Sequence, residues 1–524
     1  MQIIKCICQY TKSVKGTWLV TVRKRLVSTP LCGRRFYHNQ FTSARRTVSN
    51  TALILGIGGG IGVGIIYTYN YTAECKTSPQ TEESGGGGKP RGVTLEEIVD
   101  KARDVVQRVK DETGSPGLVI GVSVDGQTVW SEGLGYADVE NRVRMCPETV
   151  LRIASISKPI TMAAIAKQWE TGKLDLDKPV QYYVPTFPEK RVNDVAVHLT
   201  TRHLVSQMGG IRHYHKDYFR KEEKKEEKAN LTKNKDNEKK NKPSNSSGDN
   251  RPESEQSEME LEEYYITQKY NSVTESLSLF KDDPLVHSPG SKFLYTTHGW
   301  TLISAVLEAV TKEPFEKHII RMVKELGMEN TFLDEHAPLI YHRGRHYVMN
   351  KKGRLCNSPY VDLSYKWAGG GLLSNVPDLL KFGNAMLYSY QCPSPSPNQT
   401  SNKKSTDASL SQNSSVKSGF LKMETMKSLW TPLYKCSEKG DAYYGMGWYV
   451  DEEIQKYGQG KQRRFSPSHT GAAVGGSSIL LILPPSTKAV DDPPKGVVVV
   501  IMVNMVSVSL SQAAKEVATL FEKL

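Results

Sequence analysis

The chain changes its hydrophobic period from helical to strand-like between residues 94 and 136. Thr94 and Glu97 form a capping box, and Leu95, Ile98, Val99, Ala102, Val105, Val106 and Val109 recur at three- and four-residue spacing. This pattern predicts an amphipathic helix of about five turns. Gly117–Val124 and Gln127–Tyr136 follow as apolar runs joined by Asp125-Gly126, the signature of two strands and a tight hairpin turn. The other end repeats these elements in reverse. Ser477–Leu483 and Val497–Met505 read as strands, and Ser509–Leu524 has a helical period. Strands supplied by both ends predict an α+β fold, with one antiparallel sheet flanked by N- and C-terminal helices. The residues between, including the periodic runs Ile160–Glu170 and Leu302–Val310, would build a second, mainly helical lobe.

Polar stretches set the boundaries. Residues 217–262 are dominated by Lys, Glu, Asn and Ser, and 391–418 by Ser, Asn and Pro. Neither holds enough apolar surface to offset the entropy of ordering it, so both read as disordered insertions. The first fifty residues carry ten Lys/Arg and no acidic residue, the composition of a mitochondrial transit leader. Residues 51–71 follow as an apolar, Gly-rich stretch with Gly56, Gly60 and Gly64 at GxxxG spacing. It suits a retained inner-membrane anchor, a sorting segment that releases the protein into the intermembrane space, or a Gly-rich buried segment, and a basic leader ahead of it favours the intermembrane space. Residues 72–92 read as a flexible linker, which leaves 93–524 as the globular part. Asn230-Leu-Thr and Asn245-Ser-Ser are glycosylation triplets on paper, and the rival address they support is the secretory pathway.

The net charge of +13 invites a nucleic-acid reading until it is located. Residues 1–90 hold twelve Lys/Arg against three Asp/Glu, so +9 of the excess lies ahead of the globular part. What remains forms no basic stripe interleaved with aromatics, and nucleic acid is excluded as a partner. Four of the eight cysteines precede the globular part; Cys146, Cys356, Cys392 and Cys436 form no CxxC pair. That spacing argues against a zinc ribbon and against a disulfide scaffold.

Candidate chemistry begins at Ser155. In Ile153-Ala-Ser155-Ile-Ser-Lys158 the serine and lysine are one turn apart at a helix N-terminus, where backbone donors and the helix dipole favour a developing oxyanion. Taken alone, SxxK is a weak signal, and Ser155 could be a helix cap. Two further elements accompany it: Tyr295-Thr-Thr297 at the head of a second apolar helix, and His469-Thr470-Gly471 ahead of the strand Ser477–Leu483.

With these three elements in this order, residues 92–524 resemble the serine β-lactamase, penicillin-binding protein and esterase superfamily, whose motifs are SxxK, YxN and KTG or HTG. Supporting segments match in order, among them Gly172-Lys-Leu-Asp, Ala368-Gly-Gly-Gly-Leu-Leu-Ser374 and Tyr444-Gly-Met-Gly-Trp448. The resemblance implies an acyl-enzyme on Ser155, Lys158 as its base and Tyr295 as the proton relay. It also implies an oxyanion hole from the N–H groups of Ser155 and Ala472, with no metal and no cofactor. A lysine at its ordinary pKa of about 10.4 is neutral in only about one molecule in 2,500 at pH 7, so the base must be strongly perturbed.

Two positions depart from the family. Thr297 stands where Asn is usual, and His469 where true β-lactamases have lysine. A mostly neutral histidine binds a terminal carboxylate poorly, which points from penicillins toward a peptide or ester substrate. One rival constellation is His213-Tyr-His215-Lys-Asp217, the first part of a metal pattern. Position 218 is Tyr, so a ligand is missing, and the segment reads as a solvated loop. The competing function is a self-associating homo-oligomeric scaffold that retains the fold with little catalysis.

Overall fold

The computed structural model describes residues 6–12, 18–24, 93–214, 262–393, 419–437, 441–455, 462–486 and 492–524. The expected leader beyond its two strands, the segment 51–71, the linker 72–92 and nearly all of both insertions lie outside these residues. Cys6–Lys12 and Trp18–Lys24 pair antiparallel in a unit of their own. Among the described residues no helix is long and apolar enough to cross a membrane.

Helix α1, Leu95–Thr113, opens on the Thr94/Glu97 capping box and ends at Gly114 in the left-handed conformation. The sheet strands follow, labelled in chain order: β1 Gly117–Val124, β2 Gln127–Asp138, β3 Val143–Arg144, β4 Tyr434–Lys435, β5 Tyr443–Tyr444, β6 Tyr449–Asp451, β7 Ser466–Ala473, β8 Gly476–Leu483 and β9 Val497–Val503. They form one antiparallel sheet in the order β4-β5-β6-β7-β8-β9-β1-β2-β3. First and last segments of the globular part therefore meet at its centre, as the pattern predicts. Asp125 and Gly126 both take positive φ, the turn that matches the twist of a two-residue hairpin.

The central strands are apolar throughout because both faces are covered. On one face Leu118, Ile120, Val122, Val499 and Ile501 pack under α1 and the C-terminal helix Ser511–Phe521, against Ile98, Val106, Val517 and Phe521. On the other, Val119, Leu480, Val498 and Val500 pack against the helical lobe. Gly121 lets the helix Val376–Gln391 close on the sheet, since a Cβ there would collide with Val376.

Within the lobe, α2 (Ser157–Glu170) and α3 (His298–Thr311) are buried from Ser157 to Ala166 and from His298 to Leu307. Ahead of α2 a small sheet pairs Leu151–Arg152 with Leu372–Ser374, which pairs in turn with Phe332–Leu333. Two differences from expectation bear on the site. Helix α2 starts three residues before Ile160, and residues 466–473, which the hydrophobic pattern leaves unassigned, form the strand β7.

Candidate active site

The chain leaves the short strand Leu151–Arg152 and enters a single 3₁₀ turn, Ala154–Ile156, which runs directly into α2. Ser155 sits in that turn, half-buried, behind Ala154, whose φ of 48° is one that residues with a Cβ rarely adopt. Three contacts hold the turn. The Ser157 hydroxyl donates to the Ala154 carbonyl at 2.7 Å, the Ser478 hydroxyl to the Ile153 carbonyl at 2.8 Å, and the Ile153 N–H to the Leu372 carbonyl at 3.1 Å. Gly471 completes the fit, because a side chain there would fall on the Ile153 carbonyl oxygen and the Ser478 hydroxyl. Strand β7 and the serine turn thus touch backbone to backbone.

Lys158 is 0% exposed. Its Nζ lies 2.9 Å from Ser155 Oγ, 2.6 Å from the Gly369 carbonyl oxygen and 3.5 Å from Thr297 Oγ1. The same nitrogen stands over the Tyr295 ring, 4.7 Å from its centroid. Gly369 belongs to the Ala368-Gly-Gly-Gly run, and Thr161 Oγ1 fixes that run by donating to the Ala368 carbonyl at 3.0 Å. The methyl of Thr297 packs where a Gly369 side chain would be, so this glycine allows the wall to close around the amine.

A cavity of about 510 Å³ opens over these groups. Ser155, Tyr295, Thr297, Thr470, Gly471 and Ala472 all line it, so of the expected site residues the structure brings together all but the Lys158 amine and His469 on its surface. Lys158 reaches it through Ser155. Beyond Ser468, β7 has no strand on the side away from β8, since β6 pairs only with Ser466, Pro467 and Ser468. Thr470–Ala473 therefore present an unpaired strand edge to the cavity among the described residues.

His469 is placed differently from expectation. Alternation along β7 turns it away from the cavity, and it is 0% exposed. Its Nδ1 donates to the Thr470 carbonyl at 2.7 Å, while Nε2 accepts from the Tyr444 hydroxyl at 3.2 Å. Burial, reinforced by the nearby Lys158 charge, pushes its pKa down to about 3. This histidine is a neutral group behind the strand and makes no direct contact with a cavity ligand; its ring centroid lies 6.4 Å from that of Tyr295.

Several lining residues escape the sequence motifs. His213 and Tyr214 are not on a solvated loop: Tyr214 is buried, and both face the cavity. Among the described residues no cluster could hold a metal ion, and His215 and Asp217 lie outside them. Tyr264, Lys366 and Tyr449 also line the cavity. The Lys366 amine stands 4.9 Å from the ring centroids of Tyr214 and Tyr264 and 5.1 Å from that of Tyr365, within cation–π range. A lone lysine and scattered tyrosines have no spacing that marks them; only the fold assembles them.

The family model described as Beta-lactamase matches residues 102–519. The human serine beta-lactamase-like protein LACTB, mitochondrial, is 45% identical over 471 residues, covering 85% of this chain and 83% of that one. Its mouse counterpart is 46% identical over 456 residues, covering 81% and 80%. The chain belongs to the beta-lactamase family. Solved structures agree at the level of the fold. An octameric penicillin-binding protein homologue from Pyrococcus abyssi superposes with a TM-score of 0.55 at 21% identity, covering 81% of this chain and 77% of that one. A hydrolase with promiscuous acyltransferase activity gives 0.58 at 18% identity over 82% and 99% of the two chains, and a class C beta lactamase 0.54 at 15% over 82% and 99%.

Proposed function

We propose that the protein is a mitochondrial serine hydrolase that cleaves peptides through an acyl-enzyme on Ser155. The observation that carries this reading is the 2.9 Å approach of the buried Lys158 amine to the Ser155 hydroxyl. A neutral amine has two N–H bonds and one lone pair. Donation to the Gly369 carbonyl uses one N–H, and the lone pair is then available to the serine proton.

In this mechanism Ser155 Oγ attacks the substrate carbonyl as Lys158 takes its proton. The oxyanion forms against the N–H groups of Ser155 and Ala472, a reading supported by the close approach of the neighbouring Gly471 to the Ile153 carbonyl and Ala154. Tyr295 passes the proton to the departing amine, the carbon–nitrogen bond breaks, and water then cleaves the acyl ester by the reverse proton path. The unpaired edge of β7 favours peptides, because an extended chain can add to it as a further strand. A neutral, buried His469 offers no cation to a free carboxylate, which supports an internal peptide bond, or an ester, over a β-lactam.

The cationic leader and the mitochondrial names of the human and mouse relatives support the address, and the apolar stretch 51–71 supports delivery to the intermembrane space. The Pyrococcus abyssi neighbour is an octamer, which keeps self-association as a companion property. A fluorophosphonate tests the chemistry. It should label the wild-type chain at Ser155 and leave Ser155→Ala unlabelled with its melting temperature preserved. No label on the folded wild-type chain, or label on a different residue, would overturn the reading.

A further inference from the structure

Tyr295 stands on backbone that neither helix nor strand carries, in the segment that leads into α3 at His298. A group that hands over a proton must nonetheless hold its hydroxyl within hydrogen-bond reach of the atom receiving it. The neighbouring rings supply only part of that precision. Tyr449 lies parallel to the phenol ring at 6.4 Å between centroids, and Tyr444 stands edge-on at 6.5 Å. Ring contacts of this kind tolerate a range of distances and fix the tilt of a ring better than the place of its backbone.

A single residue holds that backbone on both sides of the tyrosine. The Leu294 N–H donates to the Gln207 carbonyl at 2.8 Å, and the Thr296 N–H donates to Gln207 Oε1 at 2.9 Å. Main chain and side chain of Gln207 therefore bracket Tyr295. Gln207 is 0% exposed and follows the short helix Thr201–Val205 with a φ of 60°, in the left-handed region that a residue with a Cβ seldom enters. Such a conformation persists where the surroundings over-determine it. Here the surroundings include the tyrosine segment, which takes one hydrogen bond from each end of this residue.

We propose that Gln207 is a positioning residue for Tyr295, its side-chain carbonyl setting the phenol where it can pass a proton to the leaving atom. The role rests on the serine-hydrolase reading and adds a dependence on the leaving group. Amides and alkyl esters, whose leaving atom must be protonated as its bond to carbon breaks, need Gln207. Esters whose alcohol departs as a stable anion do not.

The test compares the methyl and p-nitrophenyl esters of N-acetylalanine on the full chain. They share an acyl group, but only methoxide needs the proton. Gln207→Met keeps the length of the side chain and removes the acceptor; Gln207→Glu keeps an oxygen at the Oε1 position. The ratio of kcat/KM for the methyl ester to that for the p-nitrophenyl ester should fall about a hundredfold in Gln207→Met, the cost of a displaced general acid. In Gln207→Glu it should stay near the wild-type value. A charge effect of the new carboxylate on the Lys158 base would touch both esters alike and leave the ratio unmoved. Gln207→Asn, whose amide is one carbon too short and which suits a positive φ, should behave as Gln207→Met and serves if that variant does not fold. Fluorophosphonate labelling of Ser155 reports folding in parallel. Equal losses on both esters, or the same fall in Gln207→Glu as in Gln207→Met, overturn the role and leave the hydrolase standing. So does a wild-type chain that takes the phosphonate but does not cleave the methyl ester, since it delivers no proton to a leaving group. A folded wild-type chain inert to the phosphonate and to both esters overturns the hydrolase reading, and the role with it.

Discussion

A methyl group added at position 471 would have nowhere to go. It would meet the Ile153 carbonyl and the Ser478 hydroxyl, the pair whose hydrogen bond anchors the serine turn. The backbone on both sides is constrained, by β8 on one and by the strained Ala154 on the other. Relief must therefore come from separating β7 and the turn, which moves Ala472 away from Ser155. Displacing catalytic groups by about 1 Å can cost about a hundredfold, whereas overpacking costs about 1–3 kcal/mol of stability. Gly471→Ala should thus react with a fluorophosphonate about a hundred times more slowly than wild type while still unfolding in a single transition. Wild-type labelling in this variant would show that the two segments need not touch.

At the scale of elements, the cavity wall carrying His213, Tyr214 and Tyr264 is held by ion pairs joining the segments on either side of residues 217–261. Arg212 grips Glu263 through two nitrogens at 2.8 and 3.0 Å and reaches Asp283 at 2.6 Å. His298 adds a 2.9 Å contact to Glu263. Burial works to raise the Glu263 pKa, but hydrogen bonds from His298 and Arg212 outweigh it and hold the carboxyl below its usual range. Removing only the cation leaves a buried carboxylate, so Arg212→Met should destabilise by about 3–5 kcal/mol in urea unfolding. The double variant Arg212→Met/Glu263→Leu should lose less than the single one; strictly additive losses would refute the clamp. None of this was legible in the sequence, where the pairing residues flank a charged run that hides their partnership. The main sheet was legible, because its strands are uniformly apolar and α1 announces itself by its cap. Strand β7 was not, because a sequence of Ser, Pro, His, Thr and Gly carries no hydrophobic alternation when one face lines a cavity. That Ser155, Lys158 and Tyr295 come together could be read from the motifs, but the direction in which His469 points could not. That direction follows from the register of β7 with β8, which only the folded chain fixes.

Across the described residues, the buried His469 and His298 and the half-buried His346 make the fold sensitive to acid. Burial lowers His469 to about 3 and His298 to about 4, and His346 well below its ordinary value, with the charges of Arg152 and Arg343 adding to the last. Each stays neutral in the fold but takes up a proton in the unfolded chain below about pH 6.5, so unfolding consumes protons in that window. Stability is therefore at its full value above pH 6.5 and falls as the pH drops toward 4, with further loss until the folded groups themselves titrate. Each excluded proton adds about 1.4 kcal/mol per pH unit to the slope. Urea unfolding of His469→Gln between pH 4 and 6 should show a slope smaller than wild type by about that amount, whatever its stability at pH 7. An unchanged slope would mean that the His469 imidazole accepts a proton without unfolding. Its hydrogen bond from Tyr444 would then have to reverse, and the strand behind the cavity would carry a positive charge that burial otherwise excludes.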